Sequence, residues 1–76
     1  MPQYELFNAI SDPASARVRK FIEGRRLLER VRFRNIYYPE VKADFDARGG
    51  SELPALWDGH ALISGADEII ARLQSE

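Results

Sequence analysis

Apolar and polar positions alternate along this chain in blocks that change period every ten residues or so. Tyr4-Glu5-Leu6-Phe7-Asn8-Ala9-Ile10 is short, apolar and partly aromatic or β-branched, which predicts a buried strand. Ser11-Asp12-Pro13-Ala14-Ser15 reads as a turn that starts a helix. Asp12 suits the N-cap, and Pro13 suits the first helical position, where a missing N–H costs nothing. From Ala14 to about Arg30 the residues Ala14, Val18, Phe21, Ile22 and Leu28 recur at helical spacing, with Arg17, Lys20 and Glu23 on the opposite face. Gly24 weakens that helix and blurs its end. Val31 to Tyr38, rich in β-branched and aromatic residues, predicts a second strand that Pro39 stops. Glu40 to Arg48 reads as a short helix burying Val41 and Phe45, closed by the positive φ that Gly49-Gly50 supplies. Leu53-Pro54-Ala55-Leu56-Trp57 and His60-Ala61-Leu62-Ile63 read as strands joined by Asp58-Gly59. This is a hairpin signal, because a type I′ turn needs positive φ at both central positions. Ser64-Gly65-Ala66-Asp67 has the spacing of a capping box and opens a last helix carrying Ile69, Ile70 and Leu73 on one face.

The predicted order is β-α-β-α-β-β-α. A βαβ unit implies parallel strands with a right-handed crossover, and the hairpin adds an antiparallel pair. The expected fold is α/β, a four-stranded mixed sheet flanked by three helices, in one domain spanning 1–76. At 76 residues the chain has no room for a second domain. Hydrophobic residues make up 45% and charged residues 30%, the balance of a globular protein and not of a disordered tail.

Composition removes several chemistries. The sequence contains no cysteine, so disulfides, thiolate metal sites and every thiol mechanism are excluded. His60 is the single histidine and makes neither a metal site nor a triad, so no metal is expected. The start, Met1-Pro2-Gln3-Tyr4-Glu5, lacks the basic and apolar segments of a signal peptide, and no run approaches the ~18 apolar residues of a membrane span. A cytoplasmic protein without a membrane partner is expected. Net charge is −1 but unevenly spread: between Arg17 and Arg34 eight basic residues face two acidic ones, and from Asn35 onward three face eight. The basic residues lack interleaved aromatics and any nucleic-acid motif, so they read as a solvated face or a surface for a protein partner, with no nucleic acid expected.

The element order, a helix-starting proline after the first strand and a second proline at the third strand resemble the thioredoxin fold, in particular glutaredoxins and the N-terminal domain of glutathione transferases. Asp12-Pro13-Ala14-Ser15 stands where glutaredoxins carry Cys-Pro-x-Cys. Arg17-Val18-Arg19 matches the Arg-Val-Arg-like residues that follow the proline in several transferase classes. Leu53-Pro54 matches the Val-Pro whose peptide bond is cis in both families, and Gly65-Ala66-Asp67 matches the glutaredoxin Gly-Cys-Asp. The transferase Glu-Ser at that last place is absent.

The resemblance implies a ligand groove built from Ser11, Asp12, Pro13, Ser15, Leu53, Pro54, Gly65, Ala66 and Asp67. Leu53 would pair its main chain with an extended peptide, and the amides of Ala66 and Asp67 would receive a carboxylate, as these families hold glutathione. The departures weigh against their chemistry. Asp12 in place of the nucleophilic cysteine forms no mixed disulfide and repels a thiolate, and Ser15 in place of the resolving cysteine attacks no disulfide. The basic residue that usually meets the glycyl carboxylate has no match near Asn8, so glutathione binding is expected to be weak. Each residue also has a plainer role: Asp12 and Asp67 as helix caps, Ser15 as a partner for a backbone group or facing water, Trp57 as core or rim. The expected function is a redox-inactive binding module for a glutathione-like or extended peptide ligand or a protein partner, with no catalytic residue. The alternatives are a transferase-like activity using Ser11 or Ser15 and needing a partner chain, or a structural, dimerising domain.

Overall fold

The computed structural model describes residues 3–76; Met1 and Pro2, which enter the reading of the N-terminus, lie outside the described residues. The elements are β1 (Tyr4–Asn8), α1 (Pro13–Gly24), β2 (Val31–Asn35), α2 (Pro39–Ala47), β3 (Ala55–Trp57), β4 (Leu62–Ser64) and α3 (Ala66–Leu73). One four-stranded sheet runs in the order β2-β1-β3-β4. β1 lies parallel to β2, with Tyr4 opposite Val31 and Asn8 opposite Asn35, while β3 is antiparallel to both β1 and β4. This is the predicted α/β architecture, and it is compatible with a thioredoxin-like fold.

Strand alternation divides the core into two layers. Tyr4 and Leu6 of β1 point to one face and meet Val18 and Ile22 of α1, Leu56 of β3, and Ile69 and Leu73 of α3. Phe7 points the other way and packs with Val41 and Phe45 of α2 and with Ala55. The Phe7 and Phe45 rings lie 5.4 Å apart, tilted by 50°, a favourable aromatic geometry. One period-2 strand thus places α1 and α3 together and α2 alone on the far side.

Several boundaries differ from the sequence reading, each for a local reason. β1 ends at Asn8, not Ile10, because the Asp12 amide donates to the Ala9 carbonyl and the chain turns there. β2 ends at Asn35, not Tyr38: the Asn35 side chain accepts the Tyr37 amide at 2.9 Å, closing a turn. Pro39 then serves as the first residue of α2 as well as a strand breaker. α1 stops at Gly24 and does not run to Arg30. Arg26 adopts φ 58°, the Leu27 amide returns to the Ile22 carbonyl and the Arg26 amide to that of Glu23. That is a Schellman closure, and it turns Leu27 inward. Leu28, expected in the core, is consequently 53% exposed. Gly49 closes α2 in the same way, with φ 84°.

The hairpin is not a type I′ turn, since only Gly59 of the pair Asp58-Gly59 has positive φ. The Asp58 carboxylate instead accepts the His60 and Ala61 amides at 2.8 and 2.9 Å, so the loop is longer and β4 starts at Leu62, not His60. The capping box is also not formed. Ser64 belongs to β4, and Gly65, at φ 92°, holds the N-cap position of α3 with no side-chain cap.

Candidate functional site

The register brings the three segments named from the sequence to one pole of the sheet. Phe7 pairs with Ala55, and Ala55 pairs with Ser64. The residues that follow β1, precede β3 and follow β4 therefore emerge side by side, and the turn after β2 joins them because Asn35 lies opposite Asn8. From one edge to the other the pole reads Tyr37, then Ile10 and Ser11, then Leu53 and Pro54, then Gly65 and Ala66. Two bonds tie the row together: the Pro54 carbonyl accepts the Gly65 amide at 3.0 Å, and the Ser11 and Tyr37 hydroxyls lie 2.7 Å apart.

Within the row each candidate has a defined environment. Pro54 is buried, and the Leu53–Pro54 peptide bond is cis. Leu53 lies before the first rung of β3, and among the described residues its N–H and C=O enter no backbone hydrogen bond of a turn or loop. Ala66 is buried at the start of α3, with Asp67 exposed beside it. Asp67 forms an ion pair with Arg17 at 2.7 Å, joining the first turn of α3 to the second turn of α1. It does so in the open, so the contribution to stability is small.

Asp12 acts as the N-cap of α1. Its carboxylate accepts the Ser15 amide at 3.0 Å and the Ser15 hydroxyl at 2.8 Å. The Ser15 hydroxyl, more than any other group, holds the Asp12 carboxyl below the usual carboxylate range, with the Ser15 amide and the Arg19 charge acting in the same direction. Ser15 is completely buried and accepts the Ala9 amide at 3.2 Å, so its hydroxyl is used on both sides and faces inward. Of the nine candidates, Ser15, Pro54 and Ala66 have buried side chains, and Ser15, with its hydroxyl turned inward, belongs to the scaffold of the pole and not to its surface.

Two groupings escaped the sequence reading. Asn8 is buried at the end of β1 and donates to the Leu6 and Arg34 carbonyls, while its own side-chain oxygen accepts from Arg19 at 2.8 Å. Arg19 also donates to the Ala9 and Ile10 carbonyls, so the loop carrying Ser11 is braced by a charged fork from α1. The signal in the sequence is an Asn at the end of an apolar strand, which needs buried partners for its amide.

The second grouping lies under α2. Glu5 binds Arg34 and, at 2.9 Å, Arg48, and Arg34 also binds Asp44 at 2.8 Å. Both guanidinium groups lie over the Phe7 ring at 5.4 Å, and that of Arg48 lies over Trp57 at 4.8 Å. Burial pushes the Glu5 carboxyl up, but Arg48 and Arg34 together outweigh it and leave the group below its ordinary value. This network staples α2 to the sheet.

The basic stretch from Arg17 to Arg34 does not form one face. Arg17 pairs with Asp67, Arg19 is spent on the loop, Arg30 pairs with Glu76, and Arg34 lies under α2. Among the described residues the surface encloses no pocket, and no group of three or more acidic or histidine side chains is arranged to hold a metal. No helix is long and apolar enough to cross a membrane. The pole is an open surface with an unpaired main-chain segment and exposed side chains at its rim. No protein-family model matches the chain, and no curated protein matches it.

Proposed function

We infer that this chain is a redox-inactive binding module of glutaredoxin-like or transferase-N-domain-like descent that holds an extended ligand, a peptide or a glutathione-like molecule, at the pole described above. The observation that carries the reading is the main chain of Leu53, unpaired among the described residues and set between the loop after β1 and the first turn of α3. An extended ligand adds to such a segment by main-chain hydrogen bonds, and the first amides of α3 suit a carboxylate or carbonyl at its end. The absence of cysteine restricts the site to non-covalent work within the thiol chemistry of those families. An anionic Asp12, occupied as a helix cap, offers a thiolate repulsion and no donor.

Nothing favours the transferase-like alternative. Ser15 is buried behind Asp12, and the Ser11 hydroxyl is engaged by Tyr37. Titration of the isotope-labelled chain with reduced glutathione, and separately with a blocked neutral pentapeptide, tests the binding reading. Amide shifts centred on Leu53, Ala66 and Asp67, saturating in the millimolar range or below, are the expected result. Unmoved amides at all three positions with both ligands would reject it.

A further inference from the structure

Three large apolar side chains stand exposed around the pole: Ile10, Tyr37 and Tyr38, at 65%, 63% and 58%. Their loops emerge at the same end of the sheet, since Ile10 follows β1 and the two tyrosines follow its neighbour β2, and the Ser11–Tyr37 hydroxyl contact joins the two loops. Exposed aromatics grouped beside an unpaired main-chain segment mark a contact surface more than a solvated one.

The charges around this surface say what it accepts. Glu40 in the first turn of α2, Glu52 next to Leu53, and Glu68 in the first turn of α3 are all exposed, and none forms an ion pair among the described residues. Three basic residues nearby are already engaged: Arg17 by Asp67, Arg19 by Asn8 and two carbonyls, and Lys42 by Asp46. Among the described residues the rim therefore presents carboxylates without an ion-pair partner together with tyrosine faces, and both features attract a cation.

Resting on the binding-module reading, we propose that the occupant of the pole is an extended peptide segment whose lysine or arginine side chains alternate with apolar ones. The main chain of such a segment pairs with Leu53, its cations meet Glu52 and Glu68, and its apolar or cationic side chains cover Tyr37 and Ile10. An anionic tripeptide such as glutathione is disfavoured there: the first amides of α3 receive one of its carboxylates, but Glu52 and Glu68 repel the net negative charge it carries.

The test uses the intact labelled chain and three blocked pentapeptides, Lys-Val-Lys-Val-Lys and its threonine and glutamate counterparts, beside reduced glutathione. The lysine peptide is expected to bind about tenfold more tightly than the threonine peptide at low salt, with shifts at Leu53, Tyr37 and Ala66, and to lose most of that advantage at about 0.15 M salt. The double variant Glu52→Gln/Glu68→Gln, with its amide spectrum confirming the fold, should narrow the lysine-to-threonine ratio severalfold. An unchanged ratio in that variant, shifts centred elsewhere, or binding of the glutamate peptide or glutathione as tight as that of the lysine peptide overturns the cationic preference. The last of these still leaves the pole a binding site. Silence at Leu53, Ala66 and Asp67 with all four ligands removes both readings together.

Discussion

Arg26 holds a φ of 58° at the end of α1, a conformation in which its Cβ crowds the backbone. The turn needs that conformation, because it lets the Leu27 and Arg26 amides reach the Ile22 and Glu23 carbonyls. Arg26→Gly should therefore raise the free energy of unfolding, by up to about 1 kcal/mol after allowing for the greater freedom of glycine in the unfolded chain. Urea titration would show this as a higher midpoint with an unchanged slope, whereas a lower midpoint would mean that the Arg26 side chain stabilises the turn more than its backbone costs. The same residue explains a misreading at this scale. Leu28 continues the helical spacing of Phe21 on paper, but α1 ends at Gly24, four residues before it, and Leu27 takes the inward position. Asp12 was legible, because a cap followed by proline is a purely local signal. The turn at Arg26 was not, because an arginine in a glycine's conformation leaves no mark in composition.

α2 is positioned by its two ends. Its C-terminal closure runs through Gly49 into Gly50, where a Cβ would overlap the Phe45 ring. That ring is buried and packed on Phe7, so it has little room to retreat. Gly50→Ala should destabilise the protein by about 1–3 kcal/mol through overpacking. Gly24→Ala, at the last position of α1 with nothing within 4 Å, is the control and should be neutral or mildly stabilising. Equal unfolding midpoints for the two variants would show that Phe45 yields without cost. The existence and kind of all seven elements were readable from periodicity and punctuation. Their ends were not, where side chains compete with the ladder: Asn35 closes its own turn, and Asp58 gathers two amides in place of the expected tight hairpin.

Across the whole molecule, ionic contacts tie sequence-distant elements together, and acid should loosen them. The folded Glu5 carboxyl titrates below its unfolded value of 4.5, because Arg48 and Arg34 outweigh its burial. A group depressed in this way stabilises the fold above the unfolded value and loses that contribution as pH falls through the folded one. Denaturation midpoints should accordingly hold steady down to about pH 5 and decline below it. Glu5→Gln should lower the neutral-pH midpoint and flatten the first part of the decline, because it leaves two half-buried guanidinium groups with fewer partners. A parallel decline in the variant would assign the acid sensitivity to other carboxylates, such as Asp12, whose carboxyl is also depressed. The gathering of Leu53, Ser11 and Ala66 at one pole was legible once the element order was known, since strand order alone dictates which loops meet. The dispersal of the Arg17–Arg34 charge was not, because helix phase, a buried asparagine and the underside of α2 each claim a different guanidinium.

The loop from Asp58 to Ala61 has a practical use that follows from its address. Trp57 pairs with Glu5, near the start of β1, so the exposed tip at Gly59 and His60 points away from Leu53 by the length of a strand. A fluorophore or affinity handle placed between those two residues would report on, or immobilise, the chain while leaving the opposite end unobstructed, as exposed loop tips with polar residues generally permit.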